Sequence, residues 1–195
     1  MSDLAHDLAH DLAPGTPAAP AVALPTERLL SASLLLAPTA YLAVDCSYAV
    51  QGWDHGPTAA AHLLAAALYG LAALALVGLV RGRVQAVVLV IAVLGVIGNA
   101  GVAENSLHVA FGGNDLFDAA GAANVFKMMG FFFPLTFLVV AFALRRRAAA
   151  WWPPLLVLGA LLFPVAHVAN ISWLAIIDGI IMLAALGSCR QAVRP

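Results

Sequence analysis

The sequence predicts an all-α polytopic membrane protein, a six-transmembrane-helix bundle preceded by a disordered N-terminal tail. Three observations carry this. Hydrophobic residues make up 63% of the chain and charged residues 10%, against roughly 45–50% and roughly 25% in soluble domains. Six apolar runs follow one another across short joins, each near the roughly 20 residues that cross a hydrocarbon core about 30 Å thick. The arginines gather at alternate joins, as they do in a chain that crosses a membrane back and forth.

Residues 1–27 read as a disordered cytoplasmic tail. It opens with D-L-A-H-D-L-A-H-D-L-A (Asp3 to Ala13) and continues through Pro14, Pro17, Pro20 and Pro25, a linker-like composition without the basic start of a signal peptide. His6 and His10 stand at i, i+4, where loose metal binding competes with plain solvation in a tail. Residues 28–190 form the transmembrane domain and 191–195 a C-terminal tail. The spans are expected at Leu29 to Val50, Thr58 to Val80, Val84 to Ala103 or a little beyond, Phe126 to Leu144, Trp151 to Ala169, and Ile171 to Gly187. Nothing between Ala103 and Phe111 breaks a helix, so the third span can run through His108 until Gly112-Gly113 ends it.

Arg28, Arg81, Arg83, Arg145 to Arg147, Arg190 and Arg194 all fall on one side of this topology. By the positive-inside rule both termini are cytoplasmic, in a multi-pass protein of the cell membrane. Merging the last two runs would make an overlong span and put the C-terminal arginines outside. The net charge of −1 says nothing about partners, because the charges are partitioned along the chain. Nucleic acid is not an expected partner, since no basic patch exists beyond the membrane borders. Cys46 and Cys189 lie near opposite faces, so no disulfide is expected between them.

The informative residues are the polar ones inside the apolar runs, where charges are costly and mark function by default. With a rise of about 1.5 Å per residue, Asp45, His62, Glu104, Lys127, His167 and Asp178 come out within roughly 10 Å of the outer boundary. They sit on six different helices, and Asn99 and Asn170 join them. The stretch Gly98 to Lys127 is the most polar, with Asn99, then Glu104 and His108 one turn apart from each other, a Gly-Gly-Asn-Asp turn, and Asp118. Convergence on one shared polar site is the expectation.

Each residue also has a purely structural reading. Tyr41 and Tyr48 flank Asp45 on one helix face and would satisfy it; His62 would be a core histidine bonded to a neighbour. Glu104 and His108 share a face and would be solvated at the interface. Asp118 would be an N-terminal helix charge. Lys127 would snorkel outward or neutralise an acid. Asp178, about two turns inside its helix among isoleucines, must be paired or protonated, and a protonated carboxylic acid is a proton donor.

Four chemistries fit such a set. A zinc hydrolase would use His62, His108 and His167 with an acidic ligand, although no H-E-x-x-H or H-x3-H motif is present. A b-type haem would need two of these histidines. A proton-coupled carrier or accessory subunit would use the carboxylates and Lys127 as a relay, but no inverted repeat or pair of broken helices is visible. Acid chemistry on a lipid would combine a buried proton donor, a second carboxylate and an aromatic wall that stabilises a cation. Trp173, Phe111, Phe117, Phe126 and Phe131 to Phe133 could supply that wall.

The N-I-S-W of Asn170 to Trp173, with Glu104 and His108 on an earlier helix, resembles the site of emopamil-binding-type sterol isomerases, the His/Glu pair running here in reverse order. One acid in a middle helix and one in the last, Glu104 and Asp178, is similar to the small membrane-bound terpene cyclases. The resemblance covers a handful of residues and implies protonation-initiated carbocation chemistry, a cyclisation or isomerisation, without metal or cofactor. On this reading Asp178, Glu104, His108, His167 and Asn170 are catalytic. Trp173, Asp45, His62, Asn99, Lys127 and Phe131 bind a lipophilic, isoprenoid-like substrate that arrives through the membrane lipids. A haem or zinc protein is the alternative.

Overall fold

A computed structural model of the chain describes residues 24–117, 121, 124–146 and 151–193. The helices are α1 (Pro25–Gln51), α2 (Gly56–Leu79), α3 (Arg83–Ala110), α4 (Asn124–Gly130), α5 (Phe132–Leu144), α6 (Trp152–Val168) and α7 (Ser172–Val193), with no strand among the described residues. His6, His10, Asp118, Arg147, Arg194 and the side chain of Phe126 lie outside what is described.

The helices pack in chain order as a closed ring. α1 packs on α2 and α7, α2 on α3, α3 on α4 and α5, α5 on α6, and α6 on α7. Short joins force this, because a connection of a few residues can only link antiparallel neighbours. Arg28, Arg81, Arg83, Arg145, Arg146 and Arg190 consequently mark one end of the bundle, the end reached by every second join. Four helices and the combined stretch Lys127–Leu144 are long and apolar enough to cross a membrane, and α6 is a shorter apolar helix of 17 residues. At about 1.5 Å per residue α6 is about 25 Å long. The outer surface exposes Leu64, Val90, Phe142 and Ile180. A bundle that is apolar outside as well as inside is solvated by lipid.

Several boundaries differ from the sequence expectation, each for a local reason. α1 begins at Pro25, inside the expected tail, because proline presets the first turn and Glu27 accepts the Leu24 backbone N–H at 2.9 Å. α7 continues to Val193, taking up part of the expected C-terminal tail. α3, by contrast, runs through His108 to Ala110 and stops just before Gly112, as expected.

The expected fourth span is broken at Phe131. Pro134 has no N–H to offer the Gly130 carbonyl, and its ring would collide with that carbonyl in a continuous helix. The Phe131 N–H instead bonds back to Met128 O at 3.2 Å. α3 fits into the break through two glycines. A Cβ on Gly98 would run into the Met129 and Gly130 backbone, and one on Gly95 would stand 2.6 Å from the Phe133 backbone. α6 carries its own interior proline, Pro164, and ends where Asn170 takes a left-handed φ of 52°. That turn lets the Ile171 N–H cap the Ala166 carbonyl at 2.8 Å.

At the arginine end the ring is filled by Leu34, Leu76, Val88, Val140, Leu156 and Leu186. A column of aromatic rings follows. Phe137, Tyr69, Phe133 and Tyr41 meet edge-on or stacked at centroid distances of 5.0 to 6.3 Å. Tyr41 ends this column, and polar chemistry begins above it.

Candidate functional site

On α1, Tyr41, Asp45 and Tyr48 occupy successive inward positions, i, i+4 and i+7, and all three are buried. α2 contributes His62 and α3 contributes Asn99, both buried; α6 contributes Phe163 and His167 one turn apart; α7 contributes buried Asp178. These groups surround or adjoin a cavity of about 350 Å³ at the end away from the arginines. Tyr41, His62, Asn99, Phe131, Phe163 and His167 line it, and Asp54, Asp115, Lys127 and Asn170 stand at its polar rim. The cavity reaches the surface beside Phe131 and Val168, which line it and are both exposed. Its side opening therefore lies between the break in the fourth span and the end of α6.

Two hydrogen-bonded units meet there. In the first, the Tyr41 hydroxyl donates to Asn99 Oδ1 at 2.9 Å. A hydroxyl that has given its proton away can only accept elsewhere, so His62 Nε2–H donates to Tyr41 at 2.8 Å. His62 Nδ1 is then the acceptor of the Tyr48 hydroxyl at 3.2 Å. The chain Tyr48, His62, Tyr41, Asn99 thus runs in one direction, and Asn99 Nδ2 ends it without a partner among the described residues.

In the second unit, His167 Nδ1–H donates to the Phe163 carbonyl at 2.9 Å, and Nε2 faces Asp45 Oδ1 at 3.3 Å. A carbonyl only accepts, so Nδ1 keeps its proton. A proton must also lie between Nε2 and the carboxylate, giving either an ion pair or two neutral groups. This is the one salt bridge among the described residues. Asp178 is close enough to His167 and Asp45 for their charges to act on one another, and its Oδ1 has no partner among the described residues. Gly159 on α6 leaves that oxygen its space, since a Cβ there would stand 3.2 Å from it.

The structure therefore brings together Asp45, His62, Asn99, His167 and Asp178 from five helices. Lys127, Phe131 and Asn170 reach the cavity, the lysine and asparagine at its exposed rim. Glu104, His108 and Trp173 are not in this group. All three are exposed and outside the cavity wall, with His108 packed against Gly113. Convergence from all six spans is thus corrected to convergence from five, with the fourth span supplying the rim. The tyrosines do not satisfy Asp45 either. They serve His62, and His167 serves Asp45. Phe163 escaped sequence reasoning although it stands four residues before His167, the spacing that stacks their rings at 4.1 Å. Trp53, in the join between α1 and α2, stacks on Tyr48 at 4.3 Å.

Fold and site together define a polytopic helical membrane protein with a buried polar cluster beside an aromatic cavity. No protein-family model, curated protein or solved structure matches the chain.

Ligation of haem or zinc by His62, His108 and His167 would have to displace hydrogen bonds made in this arrangement. Both ring nitrogens of His62 and of His167 are already engaged, and His108 lies outside the cavity. No group of three or more His, Cys, Asp or Glu side chains able to hold a metal occurs among the described residues.

Proposed function

We propose that this bundle is an intramembrane enzyme that uses buried carboxylates for acid–base chemistry on a lipophilic, isoprenoid-like substrate. The observation that carries the reading is the Asp45–His167 pair, which holds a proton at the wall of a partly aromatic cavity that reaches the surface beside Phe131 and Val168. His167 is the group that gives or takes the proton, Asp45 fixes its orientation and balances its charge, and Asp178 is the second carboxylate. Tyr41, Phe131 and Phe163 line the cavity, and the faces of such rings stabilise a developing cation. Protonation of a double bond followed by loss of a proton elsewhere, an isomerisation or cyclisation, needs no more than these groups. Glu104 and His108, facing away, have no part in it. The arginine end is assigned to the cytoplasm of a cell-membrane protein by the positive-inside rule, so the cavity lies in the outer half.

One observation favours a carrier as the second reading: the fourth span is broken beside the cavity, as helices at transport sites often are.

The test is isotopic. Protein in nanodiscs is incubated in D2O with a panel of polyprenyl and other unsaturated lipids, and the lipids are analysed by mass spectrometry. The wild type is expected to place deuterium on carbon in at least one lipid, whereas His167→Gln and Asp178→Asn, folded and in the membrane, do not. A wild type that labels nothing, or variants that label as well as it does, would overturn the reading.

A further inference from the structure

The polar groups at the cavity wall are not equally occupied, and the imbalance specifies a ligand. Asn99 is 3% exposed and lines the cavity. Its Oδ1 takes the Tyr41 hydroxyl at 2.9 Å, and the His62 Nε2–H, given chiefly to Tyr41, also reaches it at 3.3 Å. Its Nδ2 is buried and has no acceptor among the described residues. Buried amide donors are nearly always bonded, because leaving one unmet forfeits its full desolvation cost.

The surroundings narrow the acceptor. Asp45 and Asp178 are buried close by and would repel an anion, while Lys127, the nearest cation lining the cavity, stands at its exposed rim. Around Asn99 the wall is apolar, with Val102, Phe131, Pro134 and Phe163. With Oδ1 taking the Tyr41 hydroxyl, the amide is left with its Nδ2 donor; the reversed amide would bond Tyr41 through Nδ2 and leave an acceptor instead.

We infer that the cavity recognises its ligand through an uncharged oxygen acceptor, a carbonyl being the simplest, held by Asn99 Nδ2. The hydrocarbon remainder leaves past Phe131 and Val168 into the bilayer. The inference deepens the acid–base reading by naming the polar group of the substrate, but recognition itself requires no turnover. A volume of about 350 Å³ lies at the small end of ligand pockets, roughly 300–1,000 Å³. It takes a head group and the first part of a chain.

The experiment uses the full chain in nanodiscs and 2-undecanone carrying carbon-13 at the carbonyl. A saturable, down-shifted carbonyl stretching band, absent from empty nanodiscs, is expected in the infrared difference spectrum. Unlabelled 2-undecanone should displace it about fivefold to tenfold better than undecane, the worth of one ordinary hydrogen bond. Asn99→Leu should remove the band. Because that variant also strips Tyr41 of its acceptor and can misfold, the competitor ranking is read on the wild type. No bound band, or undecane competing as well as the ketone, overturns the inference. So does 2-undecanol binding more tightly than the ketone, which would mean that the amide presents its oxygen. Deuterium labelling with no ketone band would leave the acid–base reading standing and sink this one alone; a ketone band without labelling would do the reverse.

Discussion

The imidazole of His167 on α6 holds Asp45 on α1, Nε2 to Oδ1 at 3.3 Å, while its other nitrogen is anchored four residues back on the Phe163 carbonyl at 2.9 Å. The two residues are 122 apart in sequence. The anchor fixes the ring, so the carboxylate has one partner in one geometry.

Breaking the pair should therefore cost more than removing it. Asp45→Ala is expected to destabilise the protein by about 3 kcal/mol, because it strands a buried imidazole. The double variant Asp45→Leu with His167→Leu should recover a good part of that loss. Reversible unfolding in mixed detergent micelles of Asp45→Leu, His167→Leu and the double variant gives the three values of the cycle. A double-variant cost equal to the sum of the two single costs would show that the pair is not coupled.

The directional chain makes a second expectation. Tyr41→Phe strips partners from both Asn99 and His62, whereas Tyr48→Phe strips one from His62 alone. Each abandoned buried group costs about 1–3 kcal/mol, so Tyr41→Phe should be the more damaging. In the wild type, nitrogen-15 NMR of histidine-labelled protein should find His62 protonated on Nε2. The opposite tautomer would reverse the chain.

Two glycines on neighbouring helices should respond in opposite ways to the same substitution. Gly98→Ala drives a methyl into the Met129–Gly130 backbone, which cannot rotate aside, and is expected to cost about 2 kcal/mol. Gly78→Ala meets nothing within 4 Å. It should be neutral or stabilise by about 0.5 kcal/mol through helix propensity. Thermal unfolding of the two purified variants beside the wild type decides it.

Cys46 is exposed on α1 and Cys189 is fully buried, both as free thiols. A small maleimide should modify Cys46 in the folded protein in detergent and reach Cys189 only on unfolding, as followed by intact mass. Modification of both at the same rate in the folded state would contradict the packing of α7.

Length, hydropathy and arginine spacing were enough to place the spans, because the hydrocarbon core imposes a minimum run of apolar residues whatever the helices touch. Depth was legible for the same reason, and depth nominated the correct end of the bundle. Rotation was not. At about 100° per residue, Glu104 and His108 stand about 140° and 180° around α3 from Asn99, so if one faces inward the others face out. The same offset of about 140° separates Trp173 from Asp178 on α7. The sequence contains those differences but not their zero, since a helix apolar on every side has no stripe to say which face meets its neighbours. Only the closed ring chose: Gly95 and Gly98 had to meet the broken fourth span, which turned Asn99 into the cavity and Glu104 away from it. Thus the chain by itself determined how often it crosses and which groups lie at one level, whereas packing decided which of them can touch.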